Sequence, residues 1–425
     1  MQESKLRKFG PPIHNIRQIP LPAFQVITLD NGIPLYFINK GSQELAKLDV
    51  VFEGGRISET NKTQSRVFGS LLKEGTSNQN SEELSAYFDY HGAAYSTKTS
   101  LDFTTITLFS LSKHFAKLMP TFSSVIFDPI FPQKEFDKFI KNSIQRLQND
   151  RSKNDIVAYR NLTAHIFGAE SNYGYNSSEE TYNNLSRDSI LSYYNDFLSQ
   201  QPCYLFLSGS YDDSLIESIN QEFGQWKYGG NEWSPTYKKH KATLGQYKYS
   251  SKNTLQSAFR IGREFGDRRH EDFTKLSFLS NVFGGFFGSR LMKNIREEKG
   301  YTYNIYSDID TLLYDGYFYI ATELAGEHVD KTRSEIYKEM DILKNELISL
   351  EELEMNKNYI LGNLLNSVDG PFQAIRLIKS SVLNKQTESD LSKMINTFIN
   401  ITPEEIQETA RKYFDQNSFC EVIVG

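Results

Sequence analysis

The sequence predicts an α+β chain made of two homologous, duplicated domains, each an antiparallel or mixed sheet covered by helices. Three observations carry that expectation. Apolar β-type runs come in pairs around turn residues, with long series of helical periodicity between them. Two stretches repeat at one offset. Ser81-Glu-Glu-Leu…His91-Gly92-Ala-Ala-Tyr95 parallels Ser289-Arg-Leu-Met…Lys299-Gly300-Tyr-Thr-Tyr303, 208 residues on (300 − 92 and 303 − 95). Each half also closes on an apolar, cysteine-containing strand, at Cys203 and at Cys420. A repeat this long points to a duplicated domain rather than a solenoid.

Composition narrows the function classes. A chain of 425 residues holds two to four domains. Hydrophobic residues make up 39% and charged residues 24%, and the formal net charge of -6 indicates no nucleic-acid surface. Two cysteines make neither a disulfide framework nor a thiolate zinc site. The polar start, Met1 to Gln18, has no apolar leader core, and no apolar run is long enough to span a membrane. A cytoplasmic enzyme or binding protein is expected, or a periplasmic one if a leader preceded these residues.

In chain order, the proline-bearing residues 1–23 read as an extended surface arm. Phe24–Leu29 and Ile33–Ile38 flank Asn31-Gly32, a strong hairpin signal. Lys47–Phe52 is a third strand. Gln64–Lys73 has a helical pattern stopping at Gly75, and Asn80 with Glu83 makes a capping box for a helix ending at His91-Gly92. Ala93–Ser110 reads as paired strands. Helices follow at 114–127, 135–148, 156–167 and 187–199, then a buried strand at Cys203–Gly209 and a helix at 213–223. Trp226–Gly245, with Gly229, Gly230, Pro235 and Lys238-Lys-His-Lys241, reads as a linker. The expected division is therefore an arm at 1–23, a first domain at 24–225, a linker at 226–245 and a second domain at 246–425. The second half repeats the pattern: strand 257–261, helices 272–282 and 289–298, strands to 323, helices 330–347, 350–366, 372–382, 388–396 and 403–413, and strand 419–424.

The organising stretch is Arg296-Glu-Glu-Lys-Gly-Tyr-Thr-Tyr303, after the glycine-rich turn Gly284–Gly288. A helix ending in Lys-Gly is well terminated, because lysine offsets the C-terminal dipole and glycine takes the left-handed cap. Arg296 then lies in the last helical turn and Tyr303 in the strand that leaves it. Taken alone, these also read as an exposed arginine and a half-buried tyrosine.

The two-half layout, Ser289-Arg290-Leu291, Arg296, Tyr303, Gln256–Gly262 and Lys73-Glu-Gly-Thr76 together resemble the pitrilysin/insulinase-type zinc metallopeptidases, in the shorter processing-peptidase branch. The resemblance covers residues from about 24 to the end. It implies the mitochondrial-processing-peptidase-like metallohydrolase fold. It also implies an inverted zinc motif, H-x-x-E-H, on the helix before Gly75-Thr76, with a further glutamate about 76 residues later. Those positions hold Arg66, Gly69, Ser70 and Arg146, so the chain departs from the family at all four. Arginine keeps its proton and offers no lone pair, and Gly69 cannot act as a base. The seven histidines are scattered and read as surface or cap residues.

In this family, heterodimers divide labour between a zinc subunit and a subunit supplying the arginine and tyrosine. This chain looks like the second kind. No cofactor is expected in it, and zinc is expected in a homologous peptidase subunit as partner. The substrate would be a peptide or unfolded polypeptide, with Arg296 and Tyr303 acting in trans as donors. The alternative is a non-proteolytic scaffold or peptide-binding subunit of a larger assembly. An independent hydrolase with a relocated metal site finds no ligand cluster in the sequence.

Overall fold

The computed structural model describes residue 16 and residues 18–229, 235–251 and 255–425. Among the described residues, eleven strands form two sheets that share no strand. In the first half, β1 (Gln25–Thr28) and β2 (Pro34–Asn39) make the expected hairpin. They are followed by β3 (Leu45–Glu53), helices α1 (Gln64–Leu71) and α2 (Ser81–Tyr90), and the pair β4 (Ala94–Thr99) and β5 (Phe103–Leu111). Next come α3 (Ser112–Phe127), α4 (Gln133–Asp150), α5 (Asn154–Phe167), α6 (Glu179–Asn183) and α7 (Arg187–Gln200), then β6 (Cys203–Gly209) and α8 (Ser214–Phe223). The second half has β7 (Gly245–Tyr249), β8 (Ser257–Glu264), α9 (Phe273–Gly284), a wide helical segment at Met292–Glu298, β9 (Thr302–Thr311) and β10 (Gly316–Leu324). It ends with α10 (Val329–Asn345), α11 (Leu350–Ser367), α12 (Pro371–Leu383), α13 (Glu388–Asn400), α14 (Pro403–Tyr413) and β11 (Cys420–Val424).

The sheet orders are β1-β2-β6-β3-β5-β4 and β7-β11-β8-β10-β9. Without β1 they are one order written twice. The parallel pair falls in the same place, β2 with β6 and β7 with β11, and every other neighbour is antiparallel. The offset of 208 residues is visible in the backbone: Gly92 has φ +60 and Gly300 φ +65, each turning a helix into an edge strand. Only glycine adopts that region without strain.

Each half lends a helix to the other. The apolar face of α5, with Ala158, Leu162, Ile166 and Phe167, covers the second sheet at Ala258, Cys420, Val422 and Val424. Gly262 admits it closely, since a Cβ there would lie 3.0 Å from Leu162 and Ile166. Reciprocally, α12 covers the first sheet, with Ala374, Ile375 and Leu383 against Ile38, Val51 and Phe206. Each inner face closes on its own core, one spanning Leu29 to Phe223 and the other Phe259 to Ile423.

Several expectations need adjustment. Residues 1–15 and 17 of the arm lie outside the described residues, but Ile19 is buried in the second core rather than lying on the surface. The linker is anchored: Trp226 packs on Phe52 and Phe127, and Tyr237 donates to Asp315 at 2.6 Å. Positions 230–234 lie outside the described residues. Strand β7 begins at the linker's expected end; its polar Gln246 and Lys248 hide it from an apolar-run search.

Candidate functional site

Two irregularities flank Gly300 and place the donor pair. The first is in the helix carrying Arg296. From Met292 to Glu298 it widens to i→i−5 bonding, with Lys299 N donating to Asn294 O at 3.1 Å. The sequence pattern predicts an ordinary helix over 289–298. Such widened turns recur at functional sites. Here buried Asn294 holds the wide turn: its Nδ2 donates to Glu335 and Glu339 of α10 at 3.1 and 2.7 Å, and Lys299 Nζ donates to its Oδ1 at 2.6 Å. Met292 and Ile295 bury the opposite face. Arg290, of the Ser-Arg-Leu motif, is structural; it grips Glu352 of α11 through two bonds of 2.8 and 2.9 Å.

The second irregularity is a β-bulge. On β10, Thr322 opposes Ile305 and Leu324 opposes Thr302, so Tyr303 and Asn304 together face Glu323 alone. A bulge breaks side-chain alternation and re-aims a residue. Thr302 is tied inward, donating from Oγ1 to Glu323 O at 2.6 Å, while Tyr303 turns out with 88% of its surface exposed.

The bulge and the wide turn open onto one cavity of about 640 Å³, which Arg296 and Tyr303 both line. Its walls include Gln256, Phe287, Glu323 and His328. Phe287 supports Arg296, whose guanidinium lies 4.6 Å from the ring centroid. His328 stacks on Tyr301 at 4.7 Å and begins α10. Glu323 is shifted upward by partial burial and by the charge of Asp155, against the pull of Arg260. Among the described residues, neither the Arg296 guanidinium nor the Tyr303 hydroxyl has an ion-pair or hydrogen-bond partner. Sequence reasoning named the pair, and Gln256 only as the start of a family-like strand, but missed Phe287, whose one signal was its place in the glycine-rich turn, and Glu323 and His328, which gave no sign of lining a site.

The other four positions lie on α1 and α4. Glu59, not the N-cap side chain, satisfies the start of α1: it accepts from Ser65 N and Oγ at 2.9 and 2.6 Å and from Thr63 N at 3.2 Å. Burial pushes this carboxyl up, opposed by bonds from Ser65 and Tyr175. Arg66 is exposed on α1, as is Arg146 on α4. The Ser70 hydroxyl donates to its own helix at Arg66 O, 2.9 Å. A Cβ on Gly69 would fall 1.9 Å from Thr99 Oγ1. A zinc ion does not fit these residues. Two guanidiniums would repel it, and the base position is occupied by the Thr99 side chain. Among the described residues no group of three His, Cys, Asp or Glu side chains could hold a metal ion, and no helix is long and apolar enough to cross a membrane.

Residues 36–173 match Insulinase (Peptidase family M16), and residues 184–360 match Peptidase M16 inactive domain. A similar protein is the uncharacterized zinc protease YmxG of Bacillus subtilis, 23% identical over 92% of this chain and 95% of that one. Another is the non-peptidase homolog YmxG of Helicobacter pylori, 22% identical over 73% of this chain and 72% of that one. A protease from Helicobacter pylori shares the fold, with TM-score 0.86 and 15% identity over 95% of this chain and 100% of that one. With the helix that would hold the metal carrying Arg66, Gly69 and Ser70, and both halves covered by these matches, the chain belongs to the insulinase (M16) peptidase family as an inactive, peptidase-like member.

Proposed function

We propose that this chain is the inactive subunit of a heterodimeric peptidase and supplies Arg296 and Tyr303 to peptide-bond hydrolysis at a homologous partner's zinc. The observation that carries the reading is the convergence of two uncommitted donors on one cavity. A structural arginine is normally paired and a structural tyrosine normally buries its ring. Here the arginine rests on Phe287 and the tyrosine ring is 88% exposed on a bulge that turns it outward.

In this reading the chain holds no metal, and the attacking water and its metal belong to the partner. Tyr303 donates its hydroxyl to the oxyanion that forms on the scissile carbonyl, and Arg296 holds the substrate carbonyl or shares that charge. Donors held in place beforehand stabilise charge without reorganising, and losing one costs about 100- to 1,000-fold in turnover. Residues 24–225 and 246–425 form the two peptidase-like domains, with 1–23 as arm and 226–245 as linker. The substrate is a peptide or unfolded polypeptide. The cytoplasm is the proposed compartment, which suits two buried, free cysteines.

The test is reconstitution. This chain is purified alone and with a homologous zinc-bearing subunit from the same cell, and cleavage of an unfolded peptide is followed. Activity of the mixture with silence of the chain alone supports the proposal. A zinc subunit equally fast without this chain leaves the scaffold role in its place.

A further inference from the structure

The departure from the metal site is more than three changed ligands and a missing base. Val67-Phe68-Gly69 on α1 recurs as Val282-Phe283-Gly284 on α9, and the serine two residues before each, Ser65 and Ser280, extends the match to Ser-x-Val-Phe-Gly. Each glycine meets a hydroxyl residue on the edge strand of its own half. A Cβ on Gly69 would lie 1.9 Å from Thr99 Oγ1 and 3.1 Å from Thr99 Cβ. A Cβ on Gly284 would lie 2.6 Å from Ser307 N, 2.8 Å from Ser307 Oγ and 3.1 Å from Ser307 Cβ. Thr99 and Ser307 are themselves 208 residues apart, the offset that relates Gly92 to Gly300 (307 − 99). Gly69 and Gly284 are 215 residues apart (284 − 69), so the corresponding contact is made once in each half, with seven more residues between helix and strand in the first.

Both are locked in place. Thr99 Oγ1 is 3.2 Å from Thr104 Oγ1 on β5, whose hydroxyl donates to Gly54 O at 2.7 Å. Ser307 Oγ donates to Ser280 O at 2.9 Å. The flanking valine and phenylalanine are buried in both copies. Such a helix–strand joint requires glycine, because real Cβ atoms do not approach other heavy atoms this closely.

We infer that α1 makes the same close-packed joint as α9 of the second half, so that Gly69 against Thr99 shuts out the catalytic base by shape as well as by substitution. The inference bears on the metal-free reading but does not depend on it, since it concerns packing. Its functional consequence is that restoring the three ligands leaves the base missing: any side chain at 69 must first displace the Thr99 side chain. In the second half the same joint fixes β9, the strand that presents Tyr303.

A double-mutant cycle tests this on the full chain. Gly69→Ala is made in the natural background and in Thr99→Ala, which removes the nearest hydroxyl and keeps the strand. The readout is the thermal unfolding midpoint. In the natural background Gly69→Ala is expected to lower it by about 1–3 °C, or to prevent folding, as overpacking does. In the Thr99→Ala background the loss is expected to shrink to less than half. Equal losses in both backgrounds, including failure to fold in both, or no loss in either, would overturn the inference. A second arm repeats the cycle with Gly69→Glu, the side chain the base position would need, by the same readout. Its loss is expected to shrink likewise with Thr99→Ala; a Gly69→Glu chain as stable as the natural one, or one equally destabilised in both backgrounds, also overturns the inference.

Discussion

Lys379 Nζ lies 2.6 Å from Asp49 Oδ2, joining the exchanged helix α12 to the middle of the first sheet across 330 residues of chain. Asp49 is 3% exposed, and Lys47 reaches the same oxygen at 3.1 Å. Burial alone would raise this carboxyl, but the charges of Lys379 and Lys47, with hydrogen bonds from Lys379 and Thr107, hold it below its usual value. Its contribution is therefore full above the unfolded-state value near about 4 and is lost as pH falls through the lower folded value. Lys379→Met is expected to cost about 1–3 kcal/mol at pH 7, because it removes the nearer of the two cations that offset the buried Asp49 charge, leaving Lys47 and Thr107. The loss should fade as Asp49 is protonated. Urea unfolding of both proteins from pH 7 downward measures it.

Asp102 tells the opposite story at the junction of the halves. It sits in the β4–β5 turn, accepts from Leu313 N of the β9–β10 turn at 3.0 Å, and also accepts from the Tyr173 hydroxyl. Burial pushes it up to about 6 against those two bonds. A raised carboxyl contributes fully below the unfolded value near about 4, and that contribution is lost as pH rises to the folded value. Asp102→Asn removes the titration. Between pH 4 and 7 the variant is expected to gain on the natural protein by up to about 3 kcal/mol in unfolding free energy. A constant difference across that range would contradict the account.

The helix exchange makes the halves interdependent. A fragment of residues 1–229 would leave α5 and the outer face of its own sheet uncovered, an exposed apolar surface that favours aggregation. The expected result is no cooperative unfolding for this fragment or for residues 235–425 alone, with a cooperative transition restored when the two are co-expressed. Calorimetry of the three samples decides it.

The purified chain is expected to hold well under one zinc after mild dialysis, because Arg66, Gly69, Ser70 and Arg146 offer no ligand set. Metal analysis checks this; one zinc held near Arg66 would contradict it.

Much of this was legible in the sequence because local signals and tertiary fold agreed. Asn80 and Glu83 form the expected capping box, and Gly32 serves the expected hairpin. The repeat was legible because Gly92 and Gly300 both need a left-handed backbone. The helix exchange was not, since the apolar stripe of α5 looks the same whichever sheet it covers. The bulge at Tyr303 was invisible because it lies in the register between β9 and β10, not in either strand's pattern. Thr99 gave no signal either: its role exists only because Gly69 has no Cβ.

The central claim is that Arg296 and Tyr303 act on a substrate at a partner's metal. Turnover of a peptide by the reconstituted pair, compared between the natural chain and Tyr303→Phe, tests it most directly, with Arg296→Ala as the second variant. Tyr303→Phe removes one exposed hydroxyl with no hydrogen-bond partner among the described residues, so folding and subunit association should be unchanged. The account expects turnover to fall about 100- to 1,000-fold with little change in apparent substrate binding. Cleavage at the natural rate by both variants would contradict it.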